Sequence, residues 1–166
     1  MKKKVHIAIV GLGVIGGFLY NEINKNKKEI ELKTGKYIKI IAISAKNKNK
    51  KRKFKINKKI FYKNPLRIID KNKIDILFEC IGLSDGISKK VVEKALKNSI
   101  HVITPNKALI SKHGDYLSNI AEREKVNLEF EASVGGGIPI LRTIKEGLST
   151  NRITRVYGIL NGSCNY

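Results

Sequence analysis

Acidic residues are scarce in this chain: 14 Asp and Glu stand against 34 Lys and Arg, for a formal net charge of +20. Such a deficit ordinarily raises nucleic acid as a partner. The distribution argues against it as the primary one. Lysines are spread along the chain among Asn and Ile, a composition that A/T-rich codons would give. The one dense run, residues 46–55, contains a single aromatic, Phe54, and no platform for stacking bases. Cysteine is almost missing. Cys80 and Cys164 are the only two, too few for a disulfide framework or a cysteine metal cluster. Tryptophan is absent, and three prolines and no Pro/Gly/Ser-rich stretch leave no visible linker. No apolar run approaches the roughly 20 residues of a membrane span. The Met-Lys-Lys-Lys start is followed at once by glycines and by Asn21-Glu22, so a mature cytoplasmic N-terminus is expected rather than a signal peptide.

What is present begins with residues 5–17. An apolar run, 5–10, ends in glycines, and a second resumes at helical spacing with Val14, Phe18, Leu19 and Ile23. Gly11, Gly13 and Gly16 fit G-x-G-x-x-G at a strand–helix junction. Gly11 permits the sharp turn, and Gly13 lets a pyrophosphate approach the backbone. Gly16 lets helix and strand pack closely, and the helix N-terminus offers unpaired N–H groups to phosphate.

The rest of the 166 residues alternates strand and helix, which predicts one α/β domain of Rossmann type. A parallel sheet with helices on both faces is expected. The expected strands are 5–10, 38–44, 74–79, 101–104 and 127–131, and the expected helices 14–28, 87–98, 114–125 and 139–148. A further strand over 153–160 reads as the start of a second domain. This gives a nucleotide-binding domain over 1–150 and the beginning of another over 151–166.

In such folds a carboxylate after the second strand holds the ribose 2′-OH of NAD, whereas a basic residue there accepts the 2′-phosphate of NADP. No acid occurs between Ile38 and Asn64. Ser44 can hydrogen-bond a phosphate, and Lys46 or Lys48 can pair with one, so NADP(H) is favoured over NAD(H).

Three further stretches carry a resemblance: HVITPNKALISKHG at 101–114, FEASVGGGIPI at 130–140 and VYGILNGSCNY at 156–166. In this order, behind the opening glycine loop, they resemble homoserine dehydrogenase, and the monofunctional enzymes more than those fused to aspartate kinase. The last stretch is similar to that family's N-G-T-C-N-Y segment, with Ser163 in place of Thr.

The resemblance implies NAD(P)-dependent interconversion of L-homoserine and L-aspartate 4-semialdehyde, on the route to threonine, methionine and isoleucine. It also implies a homodimer with a separate substrate and dimerisation domain. By position it places Gly11, Gly13, Val14, Ile15 and Gly16 at the pyrophosphate, and Ile81, Gly82 and Thr104 near the nicotinamide. Lys107 falls at the active-site edge, touching cofactor and substrate. A sodium site is implied at Glu131 with the main-chain carbonyls of Val134, Gly136 and Ile138; oxygen donors suit such a hard cation. The family's proton-transferring lysine and substrate-binding acids lie downstream of the last stretch. The expectation is therefore a chain truncated before its catalytic domain, binding cofactor but inactive alone. Glu79, Cys80, His6, His101 and His113 read as structural.

Overall fold

The computed structural model describes residues 3–158. Six strands form a single parallel sheet: β1 (Lys4–Val10), β2 (Tyr37–Ser44), β3 (Phe61–Tyr62), β4 (Ile76–Glu79), β5 (His101–Ile103) and β6 (Leu128–Glu129). Their spatial order is β3-β2-β1-β4-β5-β6, so the winding reverses between β1 and β4. The helices are α1 (Val14–Lys25), α2 (Lys27–Thr34), α3 (Leu66–Lys71), α4 (Ile87–Lys97), α5 (Lys107–Arg123), α6 (Glu131–Val134) and α7 (Ile140–Arg142).

β1 is apolar throughout its second half because both its faces are covered, as parallel strands require. Ala8 and Val10 point into one core with Leu77, Val102 and the buried stripes of α3, α4 and α5. Ile7 and Ile9 point into the other, with Leu12, Tyr20 and Ile23 from the glycine turn and α1. β2 carries a bulge. Ile7 pairs with Ile40 but Ala8 with Ala42, so Ile41 is the extra residue. The slip puts Ile40 and Ile43 on the same face despite their odd spacing. Helices thus lie on both faces. The α1 side of β4 and β5 is the less covered part, and Ile76, Phe78 and Ile103 there are only half-buried.

Several elements differ from the sequence expectation. The polar stretch before β2 holds α2, with no buried residue, closed by Gly35 in the left-handed region (φ 66°). β3 and α3 were not expected; β3 is two residues long and pairs only with Ile43 and Ser44. The third expected helix starts at Lys107 instead of Gly114, because the Asn106 side chain accepts from the Leu109 N–H at 3.1 Å and caps it. Gly114 sits inside it. The helix expected over 139–148 is one short turn, α7, followed by a π-helical turn over Thr143–Gly147. The strand expected over 153–160 is also corrected. Residues 152–158 have no regular structure, and among the described residues no strand pairs with them; 159–166, with Ser163 and Cys164, lie outside the described residues.

Candidate functional site

The carboxyl ends of β1, β2, β4 and β5 share one edge of the sheet, and the candidate residues collect there. The Gly11 N–H donates to the Ser44 carbonyl at 2.8 Å, and the Cys80 N–H to the Val10 carbonyl at 2.7 Å. These bonds hold the glycine turn between the ends of β2 and β4, at the reversal of strand order where open α/β sheets bind ligands.

The three glycines have separate roles. Gly11 has φ 94°, and a Cβ there would collide with the Cys80 carbonyl. A Cβ on Gly16 would strike the Gly11 carbonyl, so the helix packs onto the turn backbone to backbone. At Gly13 a Cβ would meet nothing within 4 Å. Its bareness serves no packing purpose; it leaves approach space at the start of α1. That start has no side-chain cap and no acid in its first turn, and Val14 is 92% exposed beside half-open Ile15. Bare N–H groups, partial positive charge and open space fit a dinucleotide pyrophosphate.

Ser44 is buried at the end of β2, and Lys46 stands exposed two residues on. The basic loop that follows is folded back onto α1. Arg52 donates to the carbonyls of Asn47 (2.8 Å), Lys50 (3.0 Å) and, more weakly, Lys48 and Leu12, gathering the loop around its guanidinium beside the glycine turn. Phe54 lies over Gly17 and against the Tyr20 ring, 5.8 Å between centroids. Neither anchor was legible from the run of lysines.

Beyond β4, Ile81 is half-buried and Gly82 is exposed with φ 89°. Thr104, at the end of β5, is fully buried, and Lys107 opens α5 on the surface. Between them sits Glu79, fully buried. Its Oε1 accepts from the Ile81 N–H (2.8 Å) and the Ser88 hydroxyl (3.2 Å), and its Oε2 from the Thr104 hydroxyl (2.6 Å). Cys80 beside it is pushed up to about 12, by burial first and then by the Glu79 charge. Asp85, at the loop's far end, takes hydrogen bonds from Lys112, His113 and Ser84, which hold its carboxyl well below the usual range.

The residues expected at a sodium ion lie in a different place, around α6. The Glu131 carboxylate accepts from the N–H groups of Leu141 and Arg142, both at 2.9 Å, and so caps α7. Gly136 and Ile138 are exposed and Val134 half-buried. Among the described residues no group of three or more His, Cys, Asp or Glu could hold a metal.

The family model described as the NAD binding domain of homoserine dehydrogenase matches residues 11–131, and the model described as homoserine dehydrogenase matches 139–166. The chain belongs to the homoserine dehydrogenase family. It is 36% identical over 164 residues to homoserine dehydrogenase of Neisseria gonorrhoeae, with 99% of this chain and 37% of that protein aligned. The Bacillus subtilis enzyme is 34% identical over 164 residues, covering 99% and 38%. Among solved structures, homoserine dehydrogenase from Thiobacillus denitrificans superposes with a TM-score of 0.77 at 33% identity, covering 91% of this chain and 35% of that one. The Staphylococcus aureus enzyme at pH 7.5 gives 0.74 at 36%, covering 81% and 34%. The chain therefore spans a little over a third of the relatives it matches, their NAD-binding part. Membership makes it part of an oxidoreductase family, and among the described residues no helix is long and apolar enough to cross a membrane.

Proposed function

We propose that this chain supplies the cofactor-binding part of an NADP(H)-preferring homoserine dehydrogenase, interconverting L-homoserine and L-aspartate 4-semialdehyde in amino-acid biosynthesis. The observation that carries the reading is the uncapped N-terminus of α1, opened by Gly13, at the point where strand order reverses. Bound there, the dinucleotide accepts or delivers hydride. The chain's own residues orient it. Main-chain N–H groups of Val14, Ile15 and Gly16 meet the pyrophosphate, and Gly11 keeps the turn sharp. Lys46, exposed just past buried Ser44, faces the adenosine ribose. Ile81 and Gly82 border the nicotinamide, fully buried Thr104 is tied to Ile81 only through Glu79, and Lys107 stands at the substrate edge.

NADP(H) is favoured over NAD(H) because β2 ends without a carboxylate and leads into a loop of lysines. A sodium ion at Glu131, Val134, Gly136 and Ile138 fits the reading by donor chemistry; each Glu131 oxygen keeps a lone pair beyond its one N–H. The nucleotide-binding unit over 1–150, the start of a second domain at 151–166, a cytoplasmic location and a homodimer belong to the same proposal.

Isothermal titration with NADPH tests it. The chain is expected to bind, and Gly13→Val to abolish binding while keeping its circular dichroism spectrum, because the valine fills ligand space and its Cβ meets no protein atom within 4 Å. Unchanged affinity in the variant removes the glycine turn from the site.

A further inference from the structure

The buried carboxylate of Glu79 has no part in the proposed contacts with the dinucleotide. The hydrogen bonds it accepts come from three separate pieces of the site edge: the loop after β4 (Ile81 N–H), the N-terminal turn of α4 (Ser88 hydroxyl) and the end of β5 (Thr104 hydroxyl). The chain of bonds continues outward. Thr104 Oγ1, which donates its hydrogen bond to Glu79, accepts from the Asn106 N–H at 3.0 Å. Asn106 caps α5 through Leu109 and donates its Nδ2 to the Leu83 carbonyl at 2.8 Å. The loop after β4 and the start of α5 are thus tied to one carboxylate at both ends, with Ile81–Gly82 between the ties and Lys107 one residue past the cap. On the strand side, Cys80 donates to Val10, so the same loop also backs the glycine turn.

A carboxylate is the acceptor this arrangement needs. Ile81 N–H can only donate, and the Ser88 and Thr104 hydroxyls both donate to the same carboxylate, Thr104 while accepting from Asn106. No apolar residue could replace it without stranding two hydroxyls and an amide in the core, and Gln would turn a donor toward the Thr104 hydroxyl. Burying an acid at the end of an otherwise apolar strand is costly for folding alone. The position of its partners explains it better.

We propose that Glu79 is a positioning residue for the nicotinamide end of the cofactor site, setting the backbone of Ile81–Gly82 and the start of α5 at Lys107 through Thr104 and Asn106. This rests on the dinucleotide reading, and it divides the site. The glycine turn grips the pyrophosphate, while the Glu79 network shapes the far half.

The test compares two ligands on the 166-residue chain: NADPH, and 2′-phospho-ADP-ribose, which lacks the nicotinamide. In Glu79→Gln and in Thr104→Val, NADPH affinity is expected to fall on the order of tenfold, as for loss of a hydrogen bond to a charged group. Affinity for 2′-phospho-ADP-ribose is expected to be unchanged, and Thr104→Ser, which keeps the hydroxyl, to restore NADPH binding. Retained 2′-phospho-ADP-ribose binding also shows that a variant is folded; if Glu79→Gln fails this check, Thr104→Val and Thr104→Ser decide. Equal losses for both ligands in the folded variants, or no loss for NADPH, overturn the positioning role and leave the dinucleotide reading standing. A wild-type chain that binds neither ligand overturns both.

Discussion

At the scale of single residues, the site is built from main-chain groups more than from side chains, and its sensitive positions are those where an atom has no room. Cys80 illustrates the electrostatic side of this crowding. Burial and the neighbouring Glu79 keep it a thiol, pushed up to about 12, so at pH 8 its thiolate fraction is far below that of a free cysteine. Alkylation by iodoacetamide at Cys80 is expected to be on the order of 10³-fold slower in the folded chain than in urea, followed by peptide mass spectrometry. Equal rates would show that the thiol is exposed. The folded chain holds this proton more tightly than the unfolded one, so the contribution is complete below about pH 8.5 and is lost as pH rises toward 12. The lysines after β2 give a second prediction. If Lys46 or Lys48 pairs with a 2′-phosphate, NADPH binds more tightly than NADH by about 1–3 kcal/mol. The gap should narrow in high salt because those side chains are exposed. Equal affinities in low-salt titrations would contradict the preference.

At the scale of elements, the two long helices α4 and α5 carry the core on their side of the sheet. Val91, Val92, Ala95 and Leu96 form one fully buried stripe of α4. α2, by contrast, is polar and contributes no buried side chain. Leu96→Ala is therefore expected to cost about 2–5 kcal/mol in urea unfolding, from lost transfer energy and the cavity left behind. Leu32→Ala on α2, 81% exposed, should stay within about 0.5 kcal/mol. A similar cost for the two would mean that α2 docks on something in solution. The periodic stripe of α4 was readable in the sequence. The start of α5 was less so, because Lys107-Ala108-Leu109 follows Pro105 and resembles a loop until the Asn106 cap is seen closing on Leu109.

At the scale of the whole molecule, the chain corresponds to a little over a third of its relatives, aligned to their NAD-binding part. Hydride transfer from an alcohol needs a base placed on the hydroxyl, whose loss costs typically 10²–10⁴-fold, and it needs the substrate held in line. The residue proposed for the substrate edge is Lys107, on an exposed helix start. The 166-residue chain alone is expected to bind NADPH yet give negligible homoserine-dependent NADPH formation from NADP. Steady turnover that disappears in Lys107→Ala would make that lysine a sufficient base.

The sequence by itself determined the glycine turn and the parallel α/β class, because these rest on local spacing and on runs of apolar residues that only a doubly covered sheet can hide; the family came from the resemblance of the three later stretches. The sequence also determined the missing acid after β2. Tertiary structure decided what depends on distant partners. The two-residue β3 exists only because β2 offers it a ladder, and the strand expected over 153–160 does not form across its described residues, which pair with no described strand. Arg52 is a lysine-run neighbour until the carbonyls of Asn47 and Lys50 turn toward it. Glu79 is an acid ending an apolar strand until Thr104, 25 positions away, brings it a hydroxyl. Hydrogen bonds between residues so far apart in sequence leave no periodicity to read, and the fold alone brings them together.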